Sequence, residues 1–229
     1  MSVTTAFSAV AWTSRLNRPF RLAALGLLAF TLIAGTTSRA AASWDDSVDE
    51  IFEATDLATA VTEHMQYYWD DVFYQSDINA ETPYAVLYDI YSYGQTGCGE
   101  VSSYGYSWYC VADDTVYVSV DHVQDLREQE GDLYASVIGV GQPMSMAVLD
   151  RIGALAFDRN GNADIFSQEA SACLTGVWTN ELWYADIIDE YDVLSAARSL
   201  STVGPSLPDA FLYGFETEDP QTCIDAMIP

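Results

Sequence analysis

Gln168-Glu-Ala-Ser-Ala-Cys-Leu-Thr-Gly-Val-Trp178 is the stretch whose reading decides the fold. Ala170, Cys173, Leu174, Val177 and Trp178 recur at three- and four-residue spacing, which gathers them on one apolar face of a helix. Ala170, Ser171, Ala172 and Gly176 crowd its middle with small side chains, so another element can approach its backbone closely. A helix of this kind belongs at the centre of a domain.

Outward from it, the chain alternates helical and strand patterns. Val48, Ile51, Phe52, Leu57, Val61 and Met65 recur at helical spacing within Ser47–Phe73, an amphipathic helix that also carries His64. Pro83–Tyr91 and Thr115–Val120 are aromatic and β-branched and read as strands, separated by a Gly/Ser/Tyr loop over Ser92–Ser107. Asp121 is placed to cap a short helix running through Leu126 and Arg127. Gly139 and Gly141 disfavour a helix by about 1 kcal/mol each and an interior proline by about 3. The next helix is therefore expected to begin at Pro143 and reach about Phe157, with residues 139–142 irregular. Leu182–Leu200 gives acidic helices broken near Gly204-Pro205, and Phe211–Phe215 a last apolar turn. The expected class is α+β, mainly helical, with one small sheet in a single domain over residues 43–229.

Residues 1–42 read as a separate element. Arg15, Arg18 and Arg21 precede the apolar run Leu22–Gly35, and Ala40-Ala-Ala42 offers a small-residue cleavage site. That is the layout of a secretory signal peptide, with an uncleaved membrane anchor as the alternative. Without this segment four arginines face 34 Asp and Glu, a formal charge of −30, and the chain has no lysine. Such a surface repels nucleic acid and anionic membrane, which excludes both as partners. Cys98, Cys110, Cys173 and Cys223 are an even set suited to an oxidising compartment, and spacing leaves their three possible pairings open.

Three segments, taken in order, carry a likeness. Tyr109-Cys-Val-Ala-Asp-Asp-Thr-Val-Tyr117, the Gln168–Trp178 helix and Gly214-Phe-Glu-Thr-Glu-Asp-Pro-Gln-Thr-Cys223 resemble segments of the bacterial neutral zinc metallopeptidases. In that family they read roughly Y-C-P-x-D-x-T-V-Y, E-L-Q-A-D-C-x-A-G-V-W and G-F-x-x-x-D-P-x-x-C. The resemblance spans about Val48 to Ile228. It implies a zincin-like fold and the pairings Cys98–Cys110 and Cys173–Cys223.

It also implies where zinc ligands would stand, and this chain lacks them. The family's His-Glu-x-x-His helix follows a lead-in that survives here as Gly131-Asp-Leu-Tyr-Ala-Ser-Val-Ile138. Such a motif sets two histidines on one helical face around the metal and a glutamate beside the attacking water. The best registration puts Val140 and Met144 at the ligand positions and Gly141 at the glutamate. A shift of one residue gives Gly141, Ser145 and Gln142 instead. Gln168 occupies the position of the third ligand, a glutamate. A family His-Gly-Ser segment corresponds to Val203-Gly-Pro-Ser206, again without histidine. His64 and His122 lie elsewhere and read as packing or surface residues.

One other pattern bears on metal. Asp158, Asn160, Asn162 and Glu169 fit the spacing of a twelve-residue calcium loop with Ile165 in its apolar slot, but Ala163 stands where the sharp turn requires glycine. No nucleophile–base set or phosphate loop appears. The expected function is that of a secreted, zinc-less homologue that binds a peptide, protein or envelope partner without cleaving it, with no cofactor. The alternatives are a residual metallopeptidase with a non-standard site and a calcium-stabilised cell-surface domain.

Overall fold

In the computed structural model, residues 54–89, 92, 94–101, 105–159 and 161–229 are described. The expected signal peptide and the start of the first helix lie outside them. In chain order the elements are α1 (Ala54–Gln75), β1 (Tyr84–Tyr88), β2 (Gln95–Thr96), β3 (Gly99–Glu100), β4 (Trp108–Cys110), β5 (Thr115–Ser119), α2 (Val120–Glu130) and α3 (Asp132–Ser136). A π-helical turn (Val137–Gly141) then leads into α4 (Gln142–Arg151). They are followed by α5 (Ile165–Tyr184), α6 (Glu190–Leu200), α7 (Leu207–Thr217) and α8 (Pro220–Met227).

Helix α5 is the centre. Asp164 caps it, accepting from the Ser167 N–H, and every residue from Ala170 to Asn180 is buried. Burying hydroxyls requires partners. Here the helix supplies them: Ser171 Oγ donates to the Gln168 carbonyl at 3.0 Å, Thr175 Oγ1 to Ser171 at 2.8 Å and Thr179 Oγ1 to Thr175 at 2.9 Å. The small middle that the sequence shows is used by α7. A Cβ on Gly176 would lie 2.0 Å from the Phe211 carbonyl oxygen, and one on Gly214 would lie 1.8 Å from that of Cys173. The two helices thus touch backbone to backbone, and Asn180 Nδ2 donates to the Phe215 carbonyl across the same seam at 2.9 Å. Cys173 is also bonded to Cys223, which fastens α8 to the same turn of α5.

Around this axis, α4 packs against α5, and α1 packs on the π turn, α2, α3 and β1. The sheet has the order β1-β5-β4, with β1 parallel and β4 antiparallel to β5, and α4 lies against β4 and β5. Strands β2 and β3 form a short ribbon whose turn carries Cys98, which is bonded to Cys110 at the end of β4. Both disulfide pairings are the ones the resemblance implies. In the chain-entropy model a span of 12 residues contributes about 3 kcal/mol and one of 50 about 4. Tyr109 joins sheet to helix, its hydroxyl lying 2.8 Å from Asp114 Oδ1 and 2.7 Å from Asp150 Oδ2. Burial, then these carboxylates, push that phenol well above its ordinary value. Arg151 adds an ion pair to Asp114 and donates to the Glu81 carbonyl.

The α+β, mainly helical class with a small sheet and two disulfides is what the structure has. Several boundaries differ. Residues 139–142 are helical, and α4 ends at Arg151 rather than near Phe157. The glycines there are imposed by neighbours: a Cβ on Gly139 would meet Val123 Cγ2 at 2.7 Å. Pro143 is tolerated because the widened turn precedes it, where a regular turn would drive its ring into the carbonyl four residues back. Ser119, not Asp121, caps α2, accepting from the His122 N–H at 3.2 Å, because the helix starts at Val120 and leaves Asp121 in its first turn. Leu182 belongs to α5, and Phe211–Phe215 is interior to α7.

Candidate functional site

The helical run α3–π–α4 and helix α5 bring together the positions that the resemblance assigns to zinc ligands. Gly141 and Ser145 stand four residues apart on the face that meets α5. A Cβ on Gly141 would lie 2.6 Å from Thr175 Cγ2, and Ser145 Oγ lies 3.0 Å from Thr175 Oγ1. The Thr175 hydrogen is committed to the Ser171 carbonyl, so Ser145 is the donor of this pair. Val140 and Met144 sit one residue back, about 100° round the helix, and are fully buried in the apolar core.

Of the two registrations, the shifted one is the one whose positions 141 and 145 touch Thr175 of α5. The π turn gives the reason. Bonding from i to i+5 takes up one more residue in a turn than the α pattern. The turn spans Val137–Gly141, overlapping the end of the Gly131–Ile138 lead-in and including the α5-facing Gly141, so helical periodicity counted from the lead-in changes there.

Thr175 explains how the space is used. The family segment has Ala at this position, and here a threonine methyl stands against the Cα of Gly141. Gln168, in the place of the third ligand, turns its amide back to donate to the Ala163 carbonyl at 2.7 Å. Gln142, in the place of the catalytic glutamate, has its Nε2 buried with no hydrogen-bond partner.

This donor set does not fit zinc. Structural and catalytic zinc sites use thiolate, imidazole and carboxylate ligands. The aligned positions offer no side chain, a hydroxyl and an amide, and all four cysteines are in disulfides. Ser145 donates to another hydroxyl, not to a base, so it has no activating partner for attack on a carbonyl.

Both histidines are engaged elsewhere. His64, on α1, accepts the Trp178 indole N–H through Nδ1 at 2.9 Å. Burial holds its imidazole below the ordinary histidine value, with Glu181 pulling the other way. His122, on α2, accepts the Ser107 backbone N–H through Nδ1 at 3.2 Å and is lowered by burial too, opposed by Asp125. Among the described residues no three of His, Cys, Asp and Glu form a group that could hold a metal ion.

The calcium-loop candidates form a different local structure. Asp158 Oδ1 accepts the Asn162 N–H at 3.0 Å and the two backbones pair, so Phe157 faces Ala163 across a tight reversal through Gly161 at φ 83°. Asp164 is spent on capping α5, Glu169 lies in its first turns, and Asn160 lies outside the described residues. Sequence reasoning names Ser145 only as a ligand position of the shifted registration and does not name Thr175, its hydrogen-bond partner. The signal that could have found Thr175 is a threonine where the resembling family segment reads alanine.

Comparisons with known proteins bear on the same elements. The family model described as "Putative neutral zinc metallopeptidase" matches residues 33–207, from before α1 to the start of α7. The chain is 22% identical over 209 residues to "Uncharacterized protein YpfJ" of Escherichia coli strain K12, covering 76% of this chain and 71% of that protein. The same protein of Escherichia coli O6:H1, strain CFT073, matches to the same extent. No solved structure matches the chain.

Proposed function

The chain belongs to the neutral zinc metallopeptidase family, and we propose that it is a secreted member that binds a peptide, protein or envelope partner without cutting it. The observation that carries this reading is the contact of Gly141 and Ser145 with Thr175. Packing closes around a glycine and hydroxyls at the positions that the shifted registration of the resemblance assigns to the family's two imidazoles. Gln142 and Gln168 cannot replace the two carboxylates: an amide neither takes a proton from water nor balances a dication's charge. Secretion is supported by the two disulfides, which belong to an extracytoplasmic compartment, and by the signal-like residues 1–42. Among the described residues no helix is long and apolar enough to cross a membrane.

Metal analysis of protein purified without chelators tests the proposal, together with a casein-cleavage assay with and without added zinc. The expected result is far less than one zinc per chain and no cleavage that a chelator abolishes. One zinc per chain, lost to a chelator together with peptidase activity, overturns it in favour of a residual metallopeptidase. Stoichiometric calcium would instead favour a calcium-stabilised domain.

A further inference from the structure

At its C-terminal end the buried helix α5 comes abruptly to the surface. Trp183 is 41% exposed, Tyr184 60%, Ile187 64% and Tyr191, in the first turn of α6, 76%. Isolated exposed apolar side chains need no explanation, but four within nine residues at one corner of the fold form a patch.

The patch is rigid. Trp183 meets Tyr184 edge-on at 5.1 Å between ring centroids and Phe215 of α7 at 6.0 Å. The Tyr184 hydroxyl donates to Glu218 Oε1 at 2.8 Å. Asp186, in the left-handed region at φ 56°, turns the chain, and the Ile187 N–H returns to the Leu182 carbonyl at 3.0 Å. Side chains already held in place lose little entropy when a partner covers them.

Charge identifies that partner. Asp186, Asp189 and Glu190 are exposed within the same nine residues, Glu218 lies beside Tyr184, and no lysine or arginine occurs between Arg159 and Arg198. Two of the remaining cations, Arg127 and Arg151, are paired with Asp132 and Asp114. Indole and phenol faces attract cations, and tryptophan and tyrosine are favoured anchors of interfaces. An acidic rim around aromatic faces suits alternating cationic and apolar side chains. It repels anionic ligands.

We propose that the α5–α6 corner, formed by Trp183, Tyr184, Ile187 and Tyr191, docks a lysine- or arginine-rich segment of a partner protein. The surface is independent of the fate of the metal site, so it stands or falls separately from the reading above.

The test titrates the purified protein with a labelled twelve-residue peptide of alternating lysine and leucine. Physiological salt limits the reach of the chain's overall negative charge to about 8 Å. Controls replace lysine by glutamate or leucine by serine. The expected result is saturable binding of the lysine–leucine peptide alone. It should weaken at least tenfold in the double variant Ile187→Ser/Tyr191→Ser and be unchanged in Tyr67→Ser/Tyr74→Ser, which alters exposed tyrosines of α1. Asp186→Asn/Glu190→Gln provides a second reading that spares the apolar residues, and it should weaken binding as well. Equal weakening by the α1 variant, equal binding of the lysine–serine peptide, or no binding overturns the proposal. Concentration-dependent self-association abolished by Ile187→Ser/Tyr191→Ser, with no peptide binding, overturns it in favour of a second copy of the chain.

Discussion

Trp178 donates its indole N–H to His64 Nδ1 across 2.9 Å, tying the middle of α5 to α1. The tryptophan is fully buried, and its ring meets the imidazole edge-on at 6.0 Å between centroids. Since Nδ1 accepts, the proton of the neutral ring resides on Nε2. A protonated ring would have no lone pair to offer, and Trp178 would face a donor instead of an acceptor.

That bond makes stability depend on pH in a defined direction. Burial lowers the imidazole pKa of both His64 and His122 in the folded protein, so the unfolded chain binds protons first as pH falls. The stabilisation is complete above the ordinary histidine value of about 6.5. It declines as pH falls through that value toward the lower folded ones. Urea denaturation at pH 7.5, 6.5 and 5.5, above the range in which ordinary carboxylates titrate, should show a progressive loss. His64→Gln should be less stable at pH 7.5 and show a shallower slope. Stability that rises over this window, with the same slope in the variant, contradicts the assignment.

The seam between α5 and α7 predicts a large effect from a single methyl. Gly176→Ala or Gly214→Ala would press a Cβ into backbone atoms, which cannot rotate away as a side chain can. Overpacking costs about 1–3 kcal/mol and sometimes more, against a gain of about 1 from alanine's helix propensity. Each variant should lose about 2 kcal/mol or more in urea denaturation. Gly105→Ala, where an added Cβ meets nothing within 4 Å, should be close to neutral.

Much of this arrangement was legible in the sequence because it rests on periodicity and side-chain size. Small residues at 170–172 and 176 announced a close approach to α5, and the segment likeness carried both disulfides. The helix across residues 137–142 was not legible. Propensity penalises Gly139, Gly141 and Pro143 one at a time, whereas Val123 and Thr175 are the reason glycine stands at the first two positions. Which face of this run meets α5 was not legible for a related reason: the π turn over Val137–Gly141 changes the periodicity without leaving a compositional mark. The aromatic corner at Trp183 was read as part of an amphipathic helix, because α5 runs six residues beyond the Trp178 that ended the recognisable segment.

The contact between Gly141 of the π turn and Thr175 of α5 can be measured as a coupling. Gly141→Ala alone would set its Cβ 2.6 Å from Thr175 Cγ2 and should destabilise. Thr175→Ala alone removes a buried methyl and deprives Ser145 of its acceptor, at about 1–3 kcal/mol for the group left unpaired. Together the two substitutions return the threonine's space to the new methyl and place a good helix former at residue 141. The double variant should therefore be more stable than the sum of the single losses, with a compensating interaction of about 1–2 kcal/mol, within the range for residues in contact. A double-mutant cycle by urea denaturation, with Val140→Ala/Thr175→Ala as a control one residue back, measures it. Additive losses at residues 141 and 175, or an equal coupling to residue 140, would show that Gly141 is not the position facing Thr175.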